Sequence, residues 1–463
     1  MLAFVCFSMD KAKKRPISRS MSFYSTRHES PDTDWKTVLM QGLPPDNGLY
    51  MPNSIKPLPP EFWSQLPQYS FAELAYEIAH CLLQDAVSPN DLRRIVADAI
   101  NFDAPIYDVC PGIACLELFH GPSLAFKDFG ARFMARMMSY FVTHDADTNA
   151  PQRQLHILVA TSGDTGGAVA QGFLNAPGIQ VVILYPSQKI SRIQEQQLTA
   201  LGNNVTALEI EGTFDDCQAM VKQAFLDADL RRQIALSSAN SINLARLIPQ
   251  TFYYVRAYQQ VMQRGKKVVF CVPSGNFGNL CAGLIALRMG LPAAHFVAAN
   301  NANNTFAQYL QTAFFEPRPS VQTLSNAMDV GNPSNLQRIQ DLYNNDIDAL
   351  RHDLSAYSFD DAQTLQAIQH VWREHQYLIC PHTAVAWLGL QAYLTQHPEE
   401  REQTQGIFLA TAHPVKFYDI VEPALQISVP IPDSLATLLK RPKVAHLLSP
   451  DYAALRQFLL SQQ

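Results

Sequence analysis

A chain of 463 residues can bury a large core and should hold more than one domain. A hydrophobic content of 47% excludes a disordered protein, and a net charge of −6 with a single basic run at 11–15 argues against nucleic acid as the main partner. No uninterrupted apolar run is long enough to span a membrane.

Residues 1–20 carry an apolar piece (2–7) and then a basic one (10–15), the reverse of a secretory signal. They read as a start-site extension or a disordered tail. Helical periodicity appears at 71–83 and 91–99. At 116–119 a short apolar strand leads into FHGPSLAFKDFG (119–130). The helix beyond it places Phe129, Phe133, Met137 and Phe141 at i, i+4 spacing. Lys127 sits on this Gly/Pro/Ser loop among small and aromatic neighbours. A desolvated lysine loses its proton more easily and becomes a nucleophile able to form a Schiff base. A surface lysine at a helix start is the plainer alternative.

Strand 157–160 runs into TSGDTGG (161–167) and strand 268–272 into PSGNFGN (273–279), each followed by a helix. Such turns offer free backbone N–H groups and the positive end of a helix to an anion. Either turn alone is equally well explained by tight strand–helix packing; two in one chain suggest two anions held at once. Further strands are expected at 181–185, 205–210 and 296–299, with helices at 191–201, 214–226 and 244–264. This alternation implies parallel sheets covered by helices on both faces. AMDVGNPSN (327–335) is a functional loop or an ordinary Gly-Pro turn. A last strand ends in GIFLATAHPVKF (406–417), with Thr411 and His413 at the bend. The Thr411 hydroxyl suits a heteroaromatic nitrogen or, equally, a helix cap. The eight cysteines are scattered, with no CxxC pair. They read as reduced core residues of a cytoplasmic protein. Neither a GxxxxGK[ST] loop nor an HExxH metal pair occurs, and no metal is expected.

These segments, with FYSTRHES, GLPPDNGLYMP, ILYPSQKISRIQEQQ, SANSINLARLIPQ, AANNANN and CPHTAVAW, resemble the threonine synthase family of pyridoxal-phosphate (PLP) enzymes. The resemblance runs from about Ser22 to the C-terminal region in the family's order. Ser123 stands where the family more often has Thr, and STRHES replaces the usual STRG.

The resemblance implies an α/β protein of PLP fold type II (tryptophan-synthase-β-like), with parallel-rich sheets and a mostly helical N-terminal region. The implied division is a 1–20 extension, a 21–115 region packed on the large domain, a 116–258 small domain and a 259–463 large domain. It implies conversion of O-phospho-L-homoserine and water to L-threonine and phosphate. Lys127 would hold PLP as a Schiff base and move protons at Cα and Cβ. Ser274, Gly275, Asn276, Phe277, Gly278 and Asn279 would cradle the PLP phosphate, and Thr411 would face the pyridine nitrogen. His120 would stack on the cofactor or satisfy a buried polar network. Ser162, Gly163, Asp164 and Thr165 would receive the substrate carboxylate, with Asp164 orienting the loop or forming a structural turn. Lys189, Arg192, Asn240, Ser241, Asn243 and Arg246 would hold the substrate phosphate. The expected partner is this small molecule, with no nucleic acid or membrane, and the chain is a monomer or homodimer. A PLP lyase or dehydratase of the same fold would not need the second cationic cluster. A phospho-lyase would release phosphate and a 2-oxo acid. A non-catalytic phosphate-binding scaffold would make Lys127 a plain helix-start residue.

Overall fold

The computed structural model describes residues 21–144, 154–161 and 163–462, so the expectation for residues 1–20 lies outside the described residues. Among the described residues, thirteen strands form three sheets. β1 (Phe23–Ser25) and β2 (Tyr50–Pro52) make a small antiparallel ribbon. β3 (Ile106–Cys110) and β4 (Ile113–Glu117) form a hairpin. β5 (Leu155–Ala160), β6 (Ile179–Pro186), β7 (Val205–Ile210) and β8 (Ala235–Ser237) follow. Then come β9 (Lys267–Pro273), β10 (Ala293–Asn300), β11 (Leu354–Ser358), β12 (Thr404–Ala410) and β13 (His446–Leu448). The larger sheet has the order β11-β10-β9-β12-β4-β3 and the smaller β13-β7-β6-β5-β8. Every pairing in these two sheets is parallel except that of β3 with β4.

The central strands are apolar on both faces. Residues 268–273 of β9 and all of β12 are buried, as parallel strands covered by helices on both sides require. The helices begin where the sequence supplies caps. Ser70 with Glu73 and Thr213 with Asp216 form capping boxes for Phe71–Leu83 and Phe214–Leu226. The helix expected over 244–264 is broken. Leu244–Leu247 and Gln250–Val261 are separate helices with Pro249 between them. Proline has no N–H to give the carbonyl four residues back, so the axis is interrupted there.

The sheets divide the chain differently from the expected boundaries at 115/116 and 258/259. β3 and β4 join the larger sheet, through the pairing of β4 with β12. β13, close to the C-terminus, joins the smaller sheet through β7. Strand pairing is long-range, so linear order alone does not assign an edge strand to a sheet. The N-terminal region touches more than the larger sheet's layer. The Leu58 N–H donates to the Met289 carbonyl (2.8 Å). Arg132 of the Lys127–His144 helix donates to the carbonyls of Ala99 (2.8 Å) and Asp98 (2.7 Å). One hydrophobic core runs from this region through the Lys127–His144 helix into both sheets, with Phe129, Phe133, Phe252 and Tyr253 fully buried.

Candidate active site

Three neighbouring parallel strands of the larger sheet, β4, β12 and β9, end side by side. From β9 the chain builds outward through β10 and β11, then returns to place β12 on β9's other flank. A crevice opens at the carboxyl ends of strands where the order reverses in this way. Here β4 leads to Lys127, β9 to the 273–279 turn and β12 to Thr411. A cavity of about 150 Å³ lies over these ends. Lys127, Asp164, Thr165, Ser241, Arg246, residues 275–279 and Thr411 all line it.

The lysine loop is fastened to the strand ends. The N–H of Leu118 donates to Ala410 (3.0 Å), that of Phe126 to Thr411 (2.8 Å), and that of His413 to Leu124 (3.0 Å). Asp128 accepts the Ser123 N–H (2.9 Å), and burial pushes its carboxyl up to about 6. Lys127 therefore opens the Lys127–His144 helix from a fixed backbone, its ammonium 4.9 Å from the Phe126 ring centroid. Its surroundings push its amine below the ordinary lysine value by desolvation, with Lys416 and Arg246 adding to the effect and Asp164 opposing it. That direction favours the free amine a lysine nucleophile needs.

The second glycine turn is a donor-rich cradle. The Ser274 hydroxyl donates to the Val272 carbonyl (2.8 Å) and so serves the backbone; Ser274 is buried beneath the lining residues. Asn276 accepts the Ser334 N–H (2.6 Å) and donates to the Ser241 hydroxyl (3.1 Å). Asn279 donates to the Pro273 carbonyl (2.9 Å). Phe277 takes a left-handed conformation (φ 60°), its ring packed on Phe306. No acceptor among the described residues meets the N–H groups of Gly275, Asn276 and Phe277. They stand at the N-terminus of the Gly278–Arg288 helix, as a phosphate dianion requires. A Cβ on Gly275 would lie 2.7 Å from the Met328 Cα, so only glycine lets the 325–335 loop close over the cradle.

In the first glycine turn the Thr161 hydroxyl accepts the N–H groups of Gly163 (3.1 Å) and Gly166 (2.9 Å). Gly163 thus holds the turn and stays out of the cavity lining, while Asp164 and Thr165 line it. Ser162 lies outside the described residues. Burial alone would push the Asp164 carboxyl up, but Lys416 and Lys127 reverse this and hold it well below the usual carboxylate range. Lys416 Nζ is 2.9 Å from Asp164 Oδ1, and Gln194 donates to the same oxygen (3.0 Å). Arg246 is buried; it donates to the Ala239 carbonyl (2.7 Å), and its Nε has no partner among the described residues. Burial lowers its pKa to about 10. A Cβ on Gly130 would lie 2.7 Å from the Arg246 carbonyl oxygen, so this glycine lets the lysine helix pass the arginine.

Besides Ser274 and Gly163, five further expected site residues stand outside the cavity lining. Lys189 and Arg192 are exposed around the start of the Arg192–Thr199 helix. Asn240 is exposed, its side chain bonded to Ser241 and Ile242. Asn243 is buried but caps Leu244–Leu247 and donates to the Leu39 carbonyl (2.8 Å). His120 is exposed and pairs with Glu117 (2.7 Å), a polar contact away from the cavity. Asn240 and Asn243 are sequence neighbours of the lining residues Ser241 and Arg246, and which way each of the five faces depends on tertiary packing. In the other direction, sequence reasoning missed Gln250 and His382, which line the cavity, while Ala327, Met328 and Asn335 of the 327–335 segment line it as a functional loop would. His382 accepts the Ala327 N–H (3.1 Å), and burial pushes its imidazole down to about 4. Its segment, CPHTAVAW, carried the family resemblance, but no local spacing marked the histidine.

Three family matches tile the chain: threonine synthase N terminus at residues 22–100, pyridoxal-phosphate dependent enzyme at 110–408, and threonine synthase C-terminal at 383–459. The threonine synthase of Escherichia coli (strain K12) is 40% identical, with 96% of this chain and 100% of the relative covered. This chain belongs to the threonine synthase family. The crystal structure of the Escherichia coli threonine synthase superposes with a TM-score of 0.85 at 38% identity, covering 96% of this chain and all of the other. That of a PLP-bound threonine synthase from Brucella melitensis gives 0.87 at 32%, covering 95% and 99%. The site described above fits the cofactor of a threonine synthase. An amine of lowered pKa, a cradle of unpaired N–H groups and a neutral hydroxyl converge on one cavity.

Proposed function

We propose that this chain is a threonine synthase that converts O-phospho-L-homoserine and water to L-threonine and phosphate. The observation that carries the reading is the full-length family match, joined to a cavity where Lys127 lies among two helix-start turns and a buried arginine. Lys127 would hold PLP through Nζ, the 275–279 turn would bind its phosphate, and Thr411 would face its ring nitrogen. Bound there, PLP supplies the electron sink for carbanion chemistry at the substrate's Cα and Cβ. The chain's own residues do the rest. The Lys127 amine, when free, takes and returns protons at Cα and Cβ. Thr165 and the turn around Asp164 receive the substrate carboxylate. Ser241 and Arg246 take the substrate phosphate, the arginine offering parallel N–H groups to its oxygens. Phosphate leaves from Cγ, and water adds at Cβ.

The test is a phosphate-release assay on O-phosphohomoserine with analysis of the amino-acid product. Phosphate and threonine in equal amounts are expected. Phosphate with 2-oxobutanoate would move the assignment to a phospho-lyase on the same scaffold, and no release would overturn it.

A further inference from the structure

One buried cation near the cavity has no part in the chemistry above. Lys416 lies in the Pro414–Phe417 turn that follows β12, and its side chain is 0% exposed. Two oxygens hold its ammonium: Asp164 Oδ1 at 2.9 Å and the Ser123 carbonyl at 2.7 Å. Asp164 starts the helix behind β5 in the smaller sheet, and Ser123 belongs to the lysine loop. One side chain thus ties together three segments that frame the cavity, without lining the cavity itself.

The charge balance explains why a cation is needed there. A buried carboxylate without a partner repels an incoming carboxylate, and the low dielectric magnifies the effect. The groups acting on Lys127 are the carboxylates Asp164 and Asp128 and the cations Lys416 and Arg246, with His382 facing them from the Pro381–Gln396 helix. Asp164 favours a charged Lys127; Lys416 opposes it.

We propose that Lys416 is a positioning residue whose ammonium cancels the charge of Asp164. The helix start at Asp164–Gly166 then accepts a substrate carboxylate, and Lys127 gives up its proton more readily. The inference rests on the roles proposed above for Lys127 and the turn around Asp164.

The test separates charge from packing. Competitive acetylation of Lys127 with acetic anhydride, read by mass spectrometry across pH on full-chain protein stripped of cofactor, reports where the amine loses its proton. Lys416→Met should move that pH upward by about one unit or more, because Asp164 then acts unopposed. Asp164→Asn should move it downward, and the double variant should return towards the parent protein. With PLP restored, Lys416→Met should raise the KM for O-phosphohomoserine about tenfold, and the double variant should recover part of it. A residue that only packs would not produce shifts of opposite sign. Two single variants that shift alike, or a folded Lys416→Met with an unmoved profile, overturn the proposal. Should Lys416→Met fail to fold, the double variant must still lie above Asp164→Asn; equality or the reverse order overturns it. Acetylation needs no turnover, so a failed threonine assay leaves this result readable.

Discussion

Lys127 and Arg246 face the same cavity with different tasks, and their variants should fail differently. Lys127 has the lowered pKa of a desolvated amine. Lys127→Ala should abolish steady-state turnover together with the visible absorbance of lysine-bound cofactor; retained turnover would contradict its role. Arg246 is a buried guanidinium whose Nε has no partner among the described residues. Charge-assisted hydrogen bonds are worth about 1.5–3 kcal/mol. Arg246→Ala should therefore raise the KM for O-phosphohomoserine about 10- to 150-fold, with a smaller effect on PLP affinity. A variant that loses PLP first would place Arg246 on the cofactor phosphate instead.

At the scale of elements, several contacts of the 325–335 loop close the cradle. Its Met328 backbone packs on Gly275, and its Ala327 N–H is held by His382. It continues into the Leu336–Leu342 helix, where Asn335 donates to the Asn276 carbonyl (2.9 Å). Arg338, fully buried, donates to the carbonyls of Tyr50 (3.1 Å) and Ile242 (2.7 Å) and to the Asn335 side chain (2.7 Å). One arginine therefore joins the N-terminal ribbon, the Ser241–Arg246 segment and the cradle. Because the Gly275 contact is to backbone, the loop must shift if a Cβ is added, and overpacking costs about 1–3 kcal/mol. Gly275→Ala should weaken PLP binding by about 5- to 150-fold, measured by absorbance titration of the stripped protein. Unchanged affinity would mean the loop does not shape the cradle.

At the scale of the whole molecule, histidines held neutral by desolvation contribute to the acid limit of stability; His382 is buried, His295 and His413 half-buried. Burial holds His382, His295 and His413 at about 4, against an ordinary value of 6.5. The unfolded chain takes up a proton at each site below that ordinary value, while the folded chain resists until about pH 4. Their stabilisation is thus fully present above pH 6.5 and is lost as pH falls from 6.5 to 4. For the nearly unexposed His382 this amounts to at most about 3 kcal/mol. The urea midpoint should fall across that window. His382→Gln, which can still accept the Ala327 N–H, should flatten the fall. Parallel curves for parent and variant would mean that His382 is not held neutral.

The elements and the chemistry were legible in the linear chain because their signals are local. The helices Phe71–Leu83 and Phe214–Leu226 and strand Val205–Ile210 follow from periodicity and caps within one segment. The glycine turns and the lysine loop announce themselves by composition, and the order of the motifs identified the family. The Pro249 break was equally local and was overridden by the apolar periodicity on either side of it. What lay beyond the sequence depends on contacts between distant segments. Strand pairing sends β4 to the larger sheet and β13 to the smaller. Packing turns His120, Lys189 and Arg192 away from the cavity and His382 towards it. Asp164 shows the division most plainly. In the linear chain it is a carboxylate in a carboxylate-binding turn. Only the fold supplies Lys416, 252 positions away, to cancel its charge, because a buried charge is stable only beside a partner that tertiary structure brings to it.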